Sequence, residues 1–190
     1  MQSGFRFTLD MNCLIDLDED RPSSSFIRKI VDAHQKEDVD VAVLAIGASE
    51  RQMDHGYLSN SADYYSRLDR LGVGHLRTLL PMAYFDVTFL DGCLMSDGAM
   101  TAVERQVHEI LFPNVIFNYG QHCQDRGIDE LPVDRAWRNV KCDVQAMWCH
   151  LHYARNVFVT SDKNFLRKSE ALIELGAGNV LEPAEAAKLL

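Results

Sequence analysis

The chain has 190 residues, 47% of them hydrophobic, and a net charge of -9; this supports one buried core, read as a single domain spanning 1–190, and excludes two comfortable ones. No apolar run is long enough for a membrane helix and MQSGFRF lacks the basic-then-apolar order of a secretion signal, so a soluble cytoplasmic protein with no membrane partner is expected. Five cysteines without a CxxC pair exclude a disulfide framework and a zinc ribbon, and the acidic balance excludes a broad electrostatic grip on nucleic acid.

Phe5 to Leu9 reads as a short buried strand, and Ser23 to Ser25 offer N-caps for a helix carrying Phe26, Ile27, Ile30, Val31 and His34. Val39 to Leu44 is a second strand, almost wholly apolar as a strand covered on both faces must be. SADYYSRLDRLG predicts a helix ended by Gly72. Ala83 to Leu90 alternates Phe85, Val87 and Phe89 against Asp86 and Thr88, and Asp91-Gly92 followed by Cys93 to Met95 predicts a β-hairpin. Thr101 and Glu104 form a capping-box pattern ahead of a helix that stops at Pro113. Val144, Met147, Trp148 and Leu151 lie on one face of a later helix, before a strand at Asn156 to Thr160, a helix, a strand at Asn179 to Leu181 and a last helix begun by Pro183. Alternating β and α at both ends predicts a three-layer α/β/α sandwich with a mostly parallel central sheet, carrying an insertion of a hairpin plus helices between Glu50 and Asp143.

Four acids sit where predicted strands give way to helices: Asp10 after the first strand, Glu50 about a turn into the helix after the second, Asp143 at a helix start, and Asp162 after the strand ending at Thr160. Ligand sites of open α/β sheets lie beyond the carboxyl ends of the strands, which is where all four are placed. Each also has a structural role open to it: Asp143 and Asp162 as N-caps, Glu50 as a solvated helix residue, Asp10 in an Asx-turn.

These blocks, LDMNCLIDL with Asp10 and Asn12, LAIGASE with Glu50, CDVQAMW with Asp143, and VTSDKNF with Thr160, Asp162 and Phe165, resemble the PIN-domain family of metal-dependent ribonucleases. The resemblance spans nearly the whole chain, and its matching blocks are the first and last fifty residues. It implies a PIN-like fold and a divalent-metal-dependent endoribonuclease. Asp10, Glu50, Asp143 and Asp162 are then the catalytic and metal-binding residues for Mg²⁺ or Mn²⁺. Asn12, Thr160 and Asn164 are implied as substrate contacts or supports of the ligands. The substrate implied is single-stranded RNA, and a homodimer and an antitoxin-like protein partner are both compatible with the family. Two departures stand out. Asn164 occupies a position where many members carry a further acid, which weakens one metal position, and the segment between Glu50 and Asp143 is long, suggesting a lid, a dimer surface or a substrate-selecting element. The alternative function is a non-catalytic PIN-like RNA-binding or protein-interaction module. A dehalogenase-type phosphatase is disfavoured because it needs an Asp where Asn12 stands.

Other residues read as structural. His150 and His152, two apart, point to different sides of a helix. Cys142 and Cys149 are two turns apart, too far for one zinc. Trp148 and Met147 belong to the apolar stripe. The basic groups Arg135, Arg138 and Lys141, and Lys163, Arg167 and Lys168, read as a solvated face with phosphate contact as the alternative.

Overall fold

The computed structural model describes residues 4–49, 61–84, 87–88 and 92–190. Its described residues form five strands, β1 (Arg6–Leu9), β2 (Asp40–Leu44), β3 (Arg77–Leu79), β4 (Val157–Val159) and β5 (Asn179–Leu181), all parallel in the order β3-β2-β1-β4-β5. The chain therefore winds outward from β1 through β2 to β3, then returns to the other side of β1 for β4 and β5. A parallel sheet of this kind needs a crossover between every pair of strands. These are supplied by α1 (Met11–Asp18) and α2 (Ser24–Gln35), α3 (Ser61–Arg70), the group α4 (Gly98–Leu111), α5 (Tyr119–Arg126) and α6 (Arg135–His152), then α7 (Lys163–Arg167) and α8 (Ser169–Leu172); α9 (Pro183–Ala186) follows the last strand.

The period-2 geometry of a strand divides the core in two. Phe7, Leu9, Val41, Val43, Val157 and Val159 face a layer containing Leu14, Leu17, Ile27, Ile30, Tyr64 and Leu68, whereas Ala42, Leu44, Phe158 and Val180 face Val107, Trp137, Met147 and Trp148. Both faces of the sheet are thus covered, which explains why β2 and β4 lack the polar alternation of a half-exposed strand; the polar Thr8 of β1 is buried against His150. At the amino ends of the strands the buried Arg155 guanidinium donates to the Phe7 and Asp40 carbonyls at 2.6 and 2.7 Å and to the Asp40 carboxylate at 2.5 Å. That clamp holds β1 against β2 at the end of the sheet opposite the acids. No helix among the described residues is long and apolar enough to cross a membrane.

Several elements differ from the sequence reading. β3 was not expected, since Arg77-Thr78-Leu79 is a three-residue edge strand with one apolar side chain. The centre of the expected hairpin, including Phe85, Asp86, Phe89 and Asp91, lies outside the described residues; its flanks make one isolated parallel bridge, Met82 to Leu94. The N-cap of α4 is Asp97, whose side chain accepts from the Met100 N–H at 2.8 Å, so Thr101 and Glu104 are not a capping box. Glu104 is instead fully buried and paired with Lys141 Nζ at 2.8 Å. Asp143 does not start a helix: α6 is capped by Asp134, and Asp143 is its ninth residue.

Candidate functional site

β1 and β4 are neighbours in the sheet but their chain connections run in opposite directions away from them, which makes their carboxyl ends the topological switch point where open α/β sheets place ligands. Asp10 leaves β1 there, its N–H donating to the Val159 carbonyl at 3.0 Å. It also caps α1, with Oδ1 accepting the Met11 N–H at 2.8 Å. Oδ2 accepts from Asn12 Nδ2 at 3.1 Å and from Thr160 Oγ1 at 2.6 Å. Burial raises the Asp10 pKa, the three hydrogen bonds oppose that rise, and the charge of Asp162 adds to it.

Asp162 leaves the end of β4. It caps α7, Oδ1 accepting the Asn164 N–H at 2.5 Å, and its own N–H donates to Thr160 Oγ1 at 3.0 Å. The structural role of a cap and a role as ligand are therefore compatible in the same residue. Asp143 reaches the site from the middle of α6. Its pKa is raised well above the ordinary carboxylate range, first by burial and then by the charges of Asp10 and Asp162, and among the described residues no hydrogen bond offsets this. Three carboxylates from β1, α6 and β4 thus share one electrostatic environment. Among the described residues, no three His, Cys, Asp or Glu side chains are arranged to hold a metal ion as they stand.

Glu50 lies outside the described residues. The 3-10 turn Ala45–Ser49 leads from β2 toward it, packed so closely on the start of α1 that a Cβ on Gly47 would meet Met11 Sδ and the Tyr64 hydroxyl at 3.0 Å. Tyr64 in turn donates to the Leu44 carbonyl at 2.7 Å, fixing the exit of β2.

Asn12 and Thr160 lie against Asp10 as described. Asn164 is turned elsewhere: its Nδ2 donates at 3.2 Å to the carbonyl of Leu111, the last residue of α4. The amide there satisfies a terminal helix carbonyl, a task that a carboxylate cannot perform.

Asp16 is a further buried acid beside the site, which the sequence reading missed. Though buried, its carboxylate accepts from Ser161 Oγ at 3.0 Å, Arg21 Nη1 at 3.2 Å and the Ser23 hydroxyl, so it ties α1 to the connection holding Thr160 and Asp162. An acid on the helix face that also carries Cys13 and Leu17 was the available signal.

The remaining candidates are structural. His150 is buried between Thr8 Oγ1 at 2.9 Å and the Ala177 carbonyl at 2.8 Å, and His152 stacks on Trp148 at 4.5 Å. Cys142, Cys149, Met147 and Trp148 are core. Lys141 belongs to neither a solvated face nor a phosphate contact, because it is buried against Glu104, whereas Arg135, Lys163 and Arg167 are exposed. The chain matches no protein-family model, no curated protein sequence and no solved structure.

Proposed function

We propose that the chain is a divalent-metal-dependent endoribonuclease on a PIN-like domain, with Asp10, Asp143 and Asp162 as ligands for Mg²⁺ or Mn²⁺ and Glu50 as a fourth carboxylate. The observation that carries this reading is that Asp143 on α6 lies close enough to Asp10 and Asp162, at the carboxyl ends of β1 and β4, for their charges to add to desolvation in raising its pKa, while it is only part-exposed and among the described residues has no hydrogen bond to offset the cost. A hard cation relieves that repulsion, and carboxylate oxygens are its preferred donors. When bound, such an ion supplies charge relief on the phosphate and activation of water. Thr160 and Asn12 orient Asp10 through its Oδ2 and leave its charge unchanged. Asp16 holds Ser161 and with it the loop bearing Asp162. The exposed Lys163 and Arg167 on the same loop and helix offer phosphate contacts. The long segment between Glu50 and Asp143 is the substrate-selecting insertion of this reading.

A second reading, a non-catalytic RNA-binding or protein-interaction module, is favoured by Asn164 and by the absence of a ready three-ligand group among the described residues. Cleavage of a single-stranded RNA panel with Mg²⁺ or Mn²⁺ separates the two. The nuclease reading expects activity in the parent and its loss in Asp10→Asn and Asp143→Asn. Cleavage that survives both substitutions removes these acids from the mechanism, and metal-independent RNA binding without cleavage establishes the module.

A further inference from the structure

A cavity of about 450 Å³ lies outside the acid cluster, lined among others by Tyr84, Phe117, Tyr119, Gly120, Glu130 and Trp137. Its aromatic walls are held in place by their polar ends. The Trp137 indole N–H donates to the Ile116 carbonyl at 3.1 Å, the Tyr119 hydroxyl accepts the Asp134 N–H at 2.8 Å, and the Tyr84 hydroxyl donates to Glu104 at 2.5 Å. Tyr119 and Trp137 have centroids 4.6 Å apart. Rigid aromatic walls with one exposed carboxylate make a built pocket of the size that takes a small planar ligand.

We propose that this cavity holds a guanine base. Stacking on the part-exposed Tyr84, Phe117 and Tyr119 rings, backed by the buried Trp137, selects a flat ring of any identity, so the choice among bases falls to Glu130. A carboxylate only accepts hydrogen bonds and is best satisfied by two adjacent donors. Guanine presents such a pair, N1–H and the 2-amino group, along its pairing edge. Adenine and cytosine set an acceptor nitrogen beside their amino group, and uracil flanks its single N–H with two carbonyls. Gly120 adjoins the carboxylate, and a Cβ there would stand 3.6 Å from Glu130 Oε1, an ordinary contact.

A cationic guest such as a methylated lysine also suits aromatic walls. Here those rings already serve cations, and the Arg105 guanidinium lies 4.3 Å from the Phe117 centroid. Lys141 Nζ lies 4.2 Å from the Phe117 centroid, 4.5 Å from Tyr84 and 5.0 Å from Trp137. Lys141 is 1% exposed and does not line the cavity, so its charge polarises the rings without occupying the space. Rings drawn toward a cation stack best on an electron-rich neutral partner, and guanine is the most electron-rich of the bases.

The cavity also bears on the nuclease reading, on which its biological use rests. Trp137 and Asp143 are six residues apart on α6, about 9 Å along the helix axis. A guanine seated there lies within reach of a strand crossing the acids and sets the register of the cut.

Titration calorimetry of 5′-GMP into the protein in EDTA, against 5′-AMP, 5′-CMP, 5′-UMP and trimethyl-lysine, tests the pocket without metal or cleavage. GMP is expected to bind about tenfold or more tightly than the other nucleotides, and Glu130→Gln, a change at an exposed position, to lower its affinity by about tenfold with an unchanged melting temperature. Phe117→Leu is expected to weaken all four nucleotides by lost stacking. No GMP binding, equal binding of the four, preference for trimethyl-lysine, or an unaltered Glu130→Gln variant each overturns the proposal. Nuclease activity without GMP binding removes the pocket alone, and GMP binding without nuclease activity removes the metal site alone.

Discussion

The Thr160 hydroxyl donates to Asp10 Oδ2 at 2.6 Å while accepting the Asp162 N–H at 3.0 Å, so one side chain couples two of the acids across adjacent strands. An ionised Asp10 can only accept, so the Thr160 proton points at it and a lone pair receives the Asp162 N–H. Thr160→Val keeps the shape and removes both bonds. Loss of a buried hydrogen bond of this kind costs about 1–3 kcal/mol of stability, and loss of a contact orienting a ligand costs about 10–100-fold in metal affinity or activity. Denaturant unfolding and Mn²⁺ titration check the two effects separately.

Asp143 supplies a stability prediction with a definite sign. Its folded pKa is raised, so ionisation at neutral pH opposes folding, and stability rises as pH falls through the raised value toward 3.8. Asp143→Asn is therefore expected to melt higher than the parent at pH 7 in EDTA, each kcal/mol gained appearing as about 2–4 °C. Added Mn²⁺ is expected to raise the parent's melting temperature and to leave the variant's unchanged. A parent that melts higher than the variant in EDTA contradicts the electrostatic account.

His150 has the opposite pH signature. Burial is the main cause that lowers its pKa from 6.5 to about 4. The unfolded chain thus takes up the proton first, and stability is lost as pH falls from 6.5 toward 4, by about 1.4 kcal/mol per pH unit once both states differ by one proton. Comparing the pH slopes of the Asp143→Asn protein and the Asp143→Asn, His150→Gln double variant isolates this contribution. The double variant is expected to be less stable throughout and flatter between pH 6.5 and 4.5.

Asn164→Asp would restore the acid that the family resemblance expects, yet the structure opposes it. The amide donates to the Leu111 carbonyl at 3.2 Å, and a carboxylate there has no proton to give. The substitution is expected to cost about 1–3 kcal/mol by leaving the end of α4 unsatisfied, with no gain in cleavage rate. Thermal melting and a single-turnover cleavage assay read the two outcomes.

The strands that were legible in the sequence are those buried on both faces. DVAVL and VFV are short, almost wholly apolar runs, RFTL carries Phe7 and Leu9, and the flanking Gly and Pro residues bounded β5 and α9. β3 was illegible because an edge strand of three residues takes its identity from pairing with β2. The start of α6 was misplaced because RAWRNVK reads as a basic approach to Asp143, whereas its only fully buried groups before Cys142 are Trp137 and Lys141. Lys141 shows the wider limit. Charge in a sequence is read as solvated, and nothing local reveals that its partner Glu104 waits 37 residues earlier inside the core. Asp10 and Asp162 were placed at the carboxyl ends of β1 and β4 because strand ends are visible in the pattern, whereas Asp143 comes from the middle of α6 and Glu50 lies outside the described residues.

The central position of β1 has a consequence for the newly made chain. Its Asp10 emerges from synthesis before Asp143 and Asp162, which join it only when α6 packs on the sheet and β4 docks beside β1. A chain interrupted anywhere before residue 143 carries one member of the trio and no neighbour for it. Whatever the acids do together requires α6 and β4 to have joined β1.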